Sequence, residues 1–223
     1  MNMHIPSSDD LFAPLASPMP ACETIGDGAV ILRRFASPSA SGLIETIERV
    51  AAEAPFRQMT TPGGYLMSVA MTSCGTWGWI TDRASYRYAS EDPASGRPWP
   101  AMPGLFLDLA TAAAAVAGYA NFAPDSCLIN RYEIGSKLSL HQDRDEADRS
   151  APIVSVSLGL PASFQFGGLK RSDPLRRCRL EHGDVVIWGG ATRLAHHGIG
   201  PLKAGLHPLT GAYRYNLTFR KAH

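Results

Sequence analysis

From residue 128 onward the chain breaks into seven short strand-like runs, at 128–132, 138–141, 153–160, 163–166, 179–181, 185–188 and 213–220, separated by Gly, Pro and Asp. Strands this short and closely spaced bury their apolar faces only by packing sheet against sheet, so a sandwich or barrel is expected. The last run is the most regular. In Arg214-Tyr215-Asn216-Leu217-Thr218-Phe219-Arg220, one face carries Arg214, Asn216, Thr218 and Arg220 and the other carries Tyr215, Leu217 and Phe219. The apolar face belongs in a core. The polar face either meets water or, with two arginines and no acid in the run, receives a dicarboxylate, because a guanidinium fork matches a carboxylate. Asn130 and Tyr132 share a face in the same way, and offer an amide and a phenol to the other end of an anionic cosubstrate.

The first half reads differently. Residues 1–27 are rich in Pro, Ser and acids, without a sustained period, and are expected to form a flexible arm ahead of a single domain over 28–223. A short buried strand is predicted at 29–32. Ser37-Pro38-Ser39 starts a helix, Leu43, Ile44, Ile47 and Val50 continue it at helical spacing, and Pro55 ends it, so a helix is predicted over 38–54. A second helix is predicted over 103–118, stopped at Gly118. Between them, residues 56–100 hold a Pro62-Gly63-Gly64 turn, a strand over 65–71, and Trp77, Trp79, Tyr86, Tyr88 and Trp99 among Gly, Ser, Thr and Pro. That is the profile of a binding lid over a core spanning about 124–220.

Composition excludes several classes. Hydrophobic residues make up 45% and charged residues 18%, enough for a sizeable core. A net charge of +1 excludes a polybasic protein, though not a local basic groove. No apolar run approaches the ~18 residues of a membrane helix, and residues 1–32 lack the Lys or Arg of a signal peptide. The four cysteines are widely spaced with no CxxC, which suits a reduced, cytoplasmic compartment. No dinucleotide or P-loop glycine signature is present.

His141-Gln142-Asp143 points to a metal. In a strand, residues i and i+2 face the same side, so the imidazole and the carboxylate converge. A third ligand is available from His182, His196, His197 or His207, and spacing does not choose among them. Two histidines and one carboxylate with open positions suit non-haem Fe(II) and oxygen. The tripeptide alone is a weak signal, and a solvated strand end accounts for it more readily than a metal site.

Longer stretches decide the matter. PFRQMTTPGGYLMSVAM (55–71), WPAMP (99–103), CLINRY (127–132), KLSLHQDRDE (137–146), APIVSVSLGLPASFQFGGLK (151–170), EHGDVVIW (181–188) and RYNLTFR (214–220) together resemble the AlkB family of Fe(II)/2-oxoglutarate-dependent dioxygenases over roughly residues 28–220. The resemblance implies a mostly β fold with flanking helices, a double-stranded β-helix (jelly roll) carrying an N-terminal helical and nucleotide-recognition lid extension. It implies His141, Asp143 and His197 as iron ligands, His197 being the histidine that directly precedes Gly198. His196 departs from the family pattern, which has an aromatic there. For the cosubstrate, the resemblance implies Arg220 at the distal carboxylate, Arg214 and Asn216 near the iron-bound end, Asn130 and Tyr132 completing the pocket, and Leu138 against the carbon chain.

The implied activity is oxidative demethylation of N-alkylated bases (1-methyladenine, 3-methylcytosine) in DNA, with RNA as a further candidate. It couples decarboxylation of 2-oxoglutarate by O2 to methyl hydroxylation and release of formaldehyde. Such a base must leave the stack, so single strands are favoured. The family pattern puts Trp79 against the flipped base with His141 on its other face, Tyr86 on a phosphate, Asp145 at the exocyclic amino group, Met71 in the pocket wall and Arg171 on nucleic acid. Trp77 remains an alternative stacking residue. The run Lys170, Arg171, Arg176, Arg177 and Arg179 reads either as a phosphate track or as a solvated hairpin, and Trp188 as core. A monomer is expected. The competing functions are the same chemistry on tRNA, protein or a small metabolite, and a non-catalytic nucleic-acid binding module.

Overall fold

The computed structural model describes residues 21–223. In chain order the strands are β1 (Cys22–Gly26), β2 (Ala29–Leu32), β3 (Arg57–Thr60), β4 (Leu66–Gly75), β5 (Gly78–Thr81), β6 (Tyr86–Ala89), β7 (Glu91–Asp92) and β8 (Arg97–Pro98). They continue with β9 (Ser126–Tyr132), β10 (Leu138–His141), β11 (Ile153–Gly159), β12 (Ala162–Phe166), β13 (Arg176–Leu180), β14 (Val185–Trp188), β15 (His197–Ile199) and β16 (Arg214–Arg220). Helix α1 (Ala40–Glu53) follows a 3-10 turn at Ser37–Ser39, and α2 (Gly104–Val116) precedes β9. No described helix is long and apolar enough to cross a membrane.

Eight strands form one sheet in the order β1-β2-β14-β11-β16-β9-β4-β3, and four form a second in the order β10-β15-β12-β13. The two sheets enclose a jelly-roll core, with the helices on the outer face of the larger sheet. The alternation of β16 builds both layers. Leu217 and Phe219 pack outward with Leu43 and Ile47 of α1, Phe106 of α2, Ile129 and Val154, and the Phe106 and Phe219 rings meet edge-on at 6.1 Å. On the inner side a second apolar cluster joins Leu128, Phe164, Phe166, Trp188 and Ile199. Since β11 (IVSVSLG) is covered on both faces, all seven of its residues are buried. Its Ser155 and Ser157 lie opposite Thr218 and Asn216, so the inner face turns polar where the site lies.

The helices and most strands fall where the sequence placed them: the helices, β11 and β16 are shorter than expected, whereas β4 runs on to Gly75, β9 begins at Ser126 and β12 at Ala162, and β3 is additional. Four differences have physical causes. Residues 22–26, expected within the arm, form β1, which pairs with β2; only Ile25 of that strand is buried, so periodicity carried no signal. The arm's residues 1–20 lie outside the described residues. Strand β15 was not anticipated, because His-Gly-Ile is too short to show a period. Strand β13 begins at Arg176 rather than 179, since an exposed edge strand of arginines hides its alternation. The lid contains two short ribbons, β5–β6 and β7–β8. Gly78 lets the first close down, because a Cβ there would lie 2.2 Å from the Trp99 ring.

Candidate metal and cosubstrate site

His141 ends β10, Asp143 lies two residues beyond it, and His197 opens β15 directly opposite His141. Gly198 makes this approach possible: a Cβ there would come within 2.8 Å of the Leu138 carbonyl oxygen on β10. One ligand atom from each of His141, Asp143 and His197 lies within 4.8 Å of the others. The Nε2 atoms of His141 and His197 are 3.6 and 3.7 Å from the Asp143 carboxylate oxygens. Each histidine places Nδ1 against a backbone carbonyl, His141 on Ser139 at 2.9 Å and His197 on Ala195 at 3.0 Å. An Nδ1–H donated there leaves Nε2 as a free lone pair aimed at the centre.

This geometry closes the choice of third histidine. His182 and His207 stack on each other at 4.3 Å. His196 is half-buried, with Nδ1 3.3 Å from the Gly168 carbonyl oxygen, and lines the cavity without joining the cluster.

Electrostatics suit a dication. Burial and then the neighbouring His141, opposed by Asp143, bring His197 down to about 4, so the ring is neutral and able to ligate. Burial would raise Asp143, but Arg220 and the two histidines overcome this and hold it well below the usual carboxylate range. Arg220 donates through Nε and Nη2 to Asp143 Oδ2 and sits 3.3 Å from Glu146 Oε1. Arg193 meets the other Glu146 oxygen at 3.1 Å and donates to the Asp143 carbonyl at 2.8 Å. Two buried arginines thus balance two buried acids. Neither Glu146 nor Arg193 was singled out from sequence. Glu146 reads as one more solvated charge in HQDRDE, and its buried partner is 47 residues away.

At the far end of the same strand stands a cation of another kind. Arg214 is 1% exposed, lies 4.8 Å over the Tyr132 ring, and donates Nη2 to Ser157 Oγ at 3.0 Å. Its Nε and Nη1 find no hydrogen-bond partner among the described residues, and no described acid pairs with it. Burial lowers its pKa, opposed by Tyr132. An unpaired buried guanidinium is costly unless an anion completes it. Asn130 and Asn216 face each other across β9 and β16, joined at 3.2 Å, and Asn216 also donates to Ser155 Oγ. Arg220, expected at the distal carboxylate, therefore lies against Asp143, while Arg214, expected near the iron, occupies the deep end beside Tyr132.

His141, Asp143, His197 and Arg220, together with Arg214, Tyr132, Asn130, Asn216 and Leu138, line one cavity of about 750 Å³, a volume suited to small-molecule and cofactor binding. Met71 is buried in its wall at 1% exposure. Trp79, Tyr86, Asp145 and Arg171 also line it. The Trp79 and Tyr86 rings stack at 5.7 Å, and Trp79 Nε1 donates to Asp145 Oδ2 at 3.0 Å. Arg171 donates to the Leu140 carbonyl at 2.7 Å. Trp77 packs on His223, 4.2 Å between ring centres, and is absent from the cavity wall. Trp188 is core, as expected, but its ring also lies 4.8 Å from that of His197. In the basic run, Arg176 pairs with Glu23 and Arg179 with Glu181, so part of its charge is neutralised within the protein.

Residues 28–220 match the profile of the 2OG-Fe(II) oxygenase superfamily. The alpha-ketoglutarate-dependent dioxygenase AlkB of Salmonella typhimurium is 62% identical over 96% of this chain and 97% of its own length. The protein of the same name from Escherichia coli is 64% identical over the same shares. The solved structure of OsALKBH1 shares the fold with a TM-score of 0.79 at 29% identity, covering 90% of this chain and all of that one. Alpha-ketoglutarate is 2-oxoglutarate, and the His-Asp-His cluster fits the iron of such an enzyme. The chain belongs to the AlkB family of 2OG-Fe(II) oxygenases and is an Fe(II)- and 2-oxoglutarate-dependent dioxygenase.

Proposed function

We propose that this dioxygenase removes alkyl groups oxidatively from nucleic-acid bases, with N1-methyladenine and N3-methylcytosine in single-stranded DNA as the favoured substrates and RNA as a further one. The observation that carries the reading is the pairing, in one cavity, of a buried cation lacking an anion with an aromatic lid. Arg214 takes the distal carboxylate of 2-oxoglutarate, helped by the Tyr132 phenol, and Leu138 packs along the carbon chain. His141, Asp143 and His197 hold Fe(II), with Arg220 orienting the Asp143 carboxylate. Iron and 2-oxoglutarate held there would let O2 act as the oxidant, one oxygen atom going to 2-oxoglutarate to leave succinate and CO2 and the other to the methyl group, whose hemiaminal releases formaldehyde.

The protein's own contribution is placement. Trp79 offers a ring face to an extruded base, and stacking of this kind is worth about 1–3 kcal/mol per base. Asp145 offers an acceptor for an exocyclic amino group and favours the positive charge that N1- or N3-methylation creates. Tyr86 and Arg171 lie at the cavity mouth, where a phosphate enters. Buried Met71 and Trp188 help keep water from the reacting carbon. Reduced thiols and Fe(II) suit the cytoplasm, and the reading needs one copy of the chain.

The test is base conversion. A single-stranded oligonucleotide carrying one 1-methyladenine, incubated with enzyme, Fe(II) and 2-oxoglutarate, is digested and its nucleosides weighed. Conversion to adenine supports the proposal. An unchanged lesion, with 2-oxoglutarate consumed on tRNA, protein or metabolites instead, rejects it.

A further inference from the structure

Tyr88 belongs to no part of the site described so far, yet it connects the lid to the metal cluster. It stands directly opposite Trp79 in the β5–β6 ribbon, and side chains of opposed residues leave a ladder on the same face. The two side chains land on consecutive residues of one loop. Trp79 Nε1 donates to Asp145 Oδ2 at 3.0 Å, and the Tyr88 hydroxyl donates to Glu146 Oε1 at 2.7 Å. The contacts differ in kind. Asp145 is exposed, whereas Glu146 is 3% exposed and belongs to the charged quartet with Arg193, Arg220 and Asp143. From the Tyr88 hydroxyl to the metal-binding carboxylate runs a continuous chain, Tyr88–Glu146–Arg220–Asp143.

We propose that Tyr88 is a positioning residue: its bond to Glu146 latches the lid ribbon onto the charged cluster that orients Asp143, and so holds the Trp79 ring in register with the metal site. The inference rests on the nucleic-acid reading above for its kinetic consequence, but not for the latch itself. A base that engages Asp145 competes with Trp79 for that carboxylate. The Tyr88–Glu146 bond, remote from the base and sheltered from water, then ties the ribbon in place while Asp145 turns to the substrate. Loss of the latch leaves the cosubstrate pocket intact, because Arg214, Tyr132 and Leu138 belong to other strands, but leaves the methyl group poorly placed. Misplacement of that sort slows reaction by up to about a hundredfold.

The test compares wild type with Tyr88→Phe in the full chain, by two measurements. Hydrogen exchange on the metal-free protein is expected to be several-fold faster in the variant at Gly78–Thr81 and Tyr86–Ala89, with β11 and β16 unchanged. In turnover, KM for a 1-methyladenine oligonucleotide is expected to rise about tenfold and formaldehyde per succinate to fall, with KM for 2-oxoglutarate unmoved. A lowered melting temperature with ribbon exchange, oligonucleotide KM and product ratio all as in wild type makes Tyr88 merely structural and overturns the proposal. If the wild type itself releases no formaldehyde, the substrate reading is what has failed, and ribbon exchange alone decides the latch: unchanged exchange overturns it.

Discussion

Arg220 places two hydrogen bonds, from Nε at 2.9 Å and Nη2 at 2.7 Å, on a single oxygen of Asp143. Arg214, six positions earlier on the same face of the same strand, has two donors with no partner among the described residues. One strand thus carries one arginine paired with buried acids and one without an acid among the described residues, and the two are expected to behave in opposite ways when removed.

Arg220→Gln leaves Asp143 and Glu146 buried beside a single remaining cation. Breaking a buried pair by removing one partner costs about 3–5 kcal/mol. Urea unfolding of the metal-free protein is expected to show a loss of that order, together with weaker binding of Fe(II) or its Mn(II) substitute.

Arg214→Met, in contrast, removes a buried charge that lacks a counter-ion. Stability without 2-oxoglutarate is expected to stay level or to rise, since such replacements are often neutral or stabilising. KM for 2-oxoglutarate is expected to rise about a hundredfold, the scale of a lost charge-assisted carboxylate contact. Thermal shift with and without 2-oxoglutarate, alongside steady-state kinetics, checks both halves.

The sequence showed which face of β16 is polar, because alternation has period two whatever the tertiary context. It did not show which end of that strand meets the metal. That depends on the antiparallel register with β9, which sets Arg214 against Tyr132 and Arg220 against Ser126, and on where β10 ends. Spacing did not choose among four histidines and the family resemblance picked His197; the fold supplies the physical reason, since His197 reaches His141 because Gly198 admits β10, while His182 turns toward His207. The buried quartet was invisible because a charge reads as solvated until its distant partner is known. Strand β1 was missed because a single buried Ile25 is too little apolar signal beside a proline-rich stretch.

His182 carries a pH signature away from the metal. Burial lowers its pKa below the ordinary 6.5, and His207 and Arg34 lower it further. Its Nδ1 accepts the Gly159 N–H at 3.0 Å, a bond that protonation breaks. A depressed folded pKa means that the unfolded chain binds the proton more readily, so this stability is complete above 6.5 and declines as pH falls below it. Denaturation of the metal-free protein between pH 7 and 5 is expected to show a shallower loss in His182→Gln than in wild type.

Trp79→Ala removes the stacking face and the bond to Asp145. KM for a methylated oligonucleotide is expected to rise ten- to about a hundredfold, in line with ~1–3 kcal/mol for one stacked base. Trp77→Ala, whose ring packs on His223 outside the cavity, is expected to leave that KM within about twofold.

In the function proposed above, one centre, built from His141, Asp143, His197 and Arg214, couples consumption of 2-oxoglutarate to demethylation of a base. Its most direct test is the stoichiometry of succinate and formaldehyde released from an oligonucleotide carrying a single 1-methyladenine, for wild type beside His141→Ala. Equal release of both products by the wild type and neither by the variant is the expected result. Succinate without formaldehyde, or formaldehyde that persists in the variant, contradicts it.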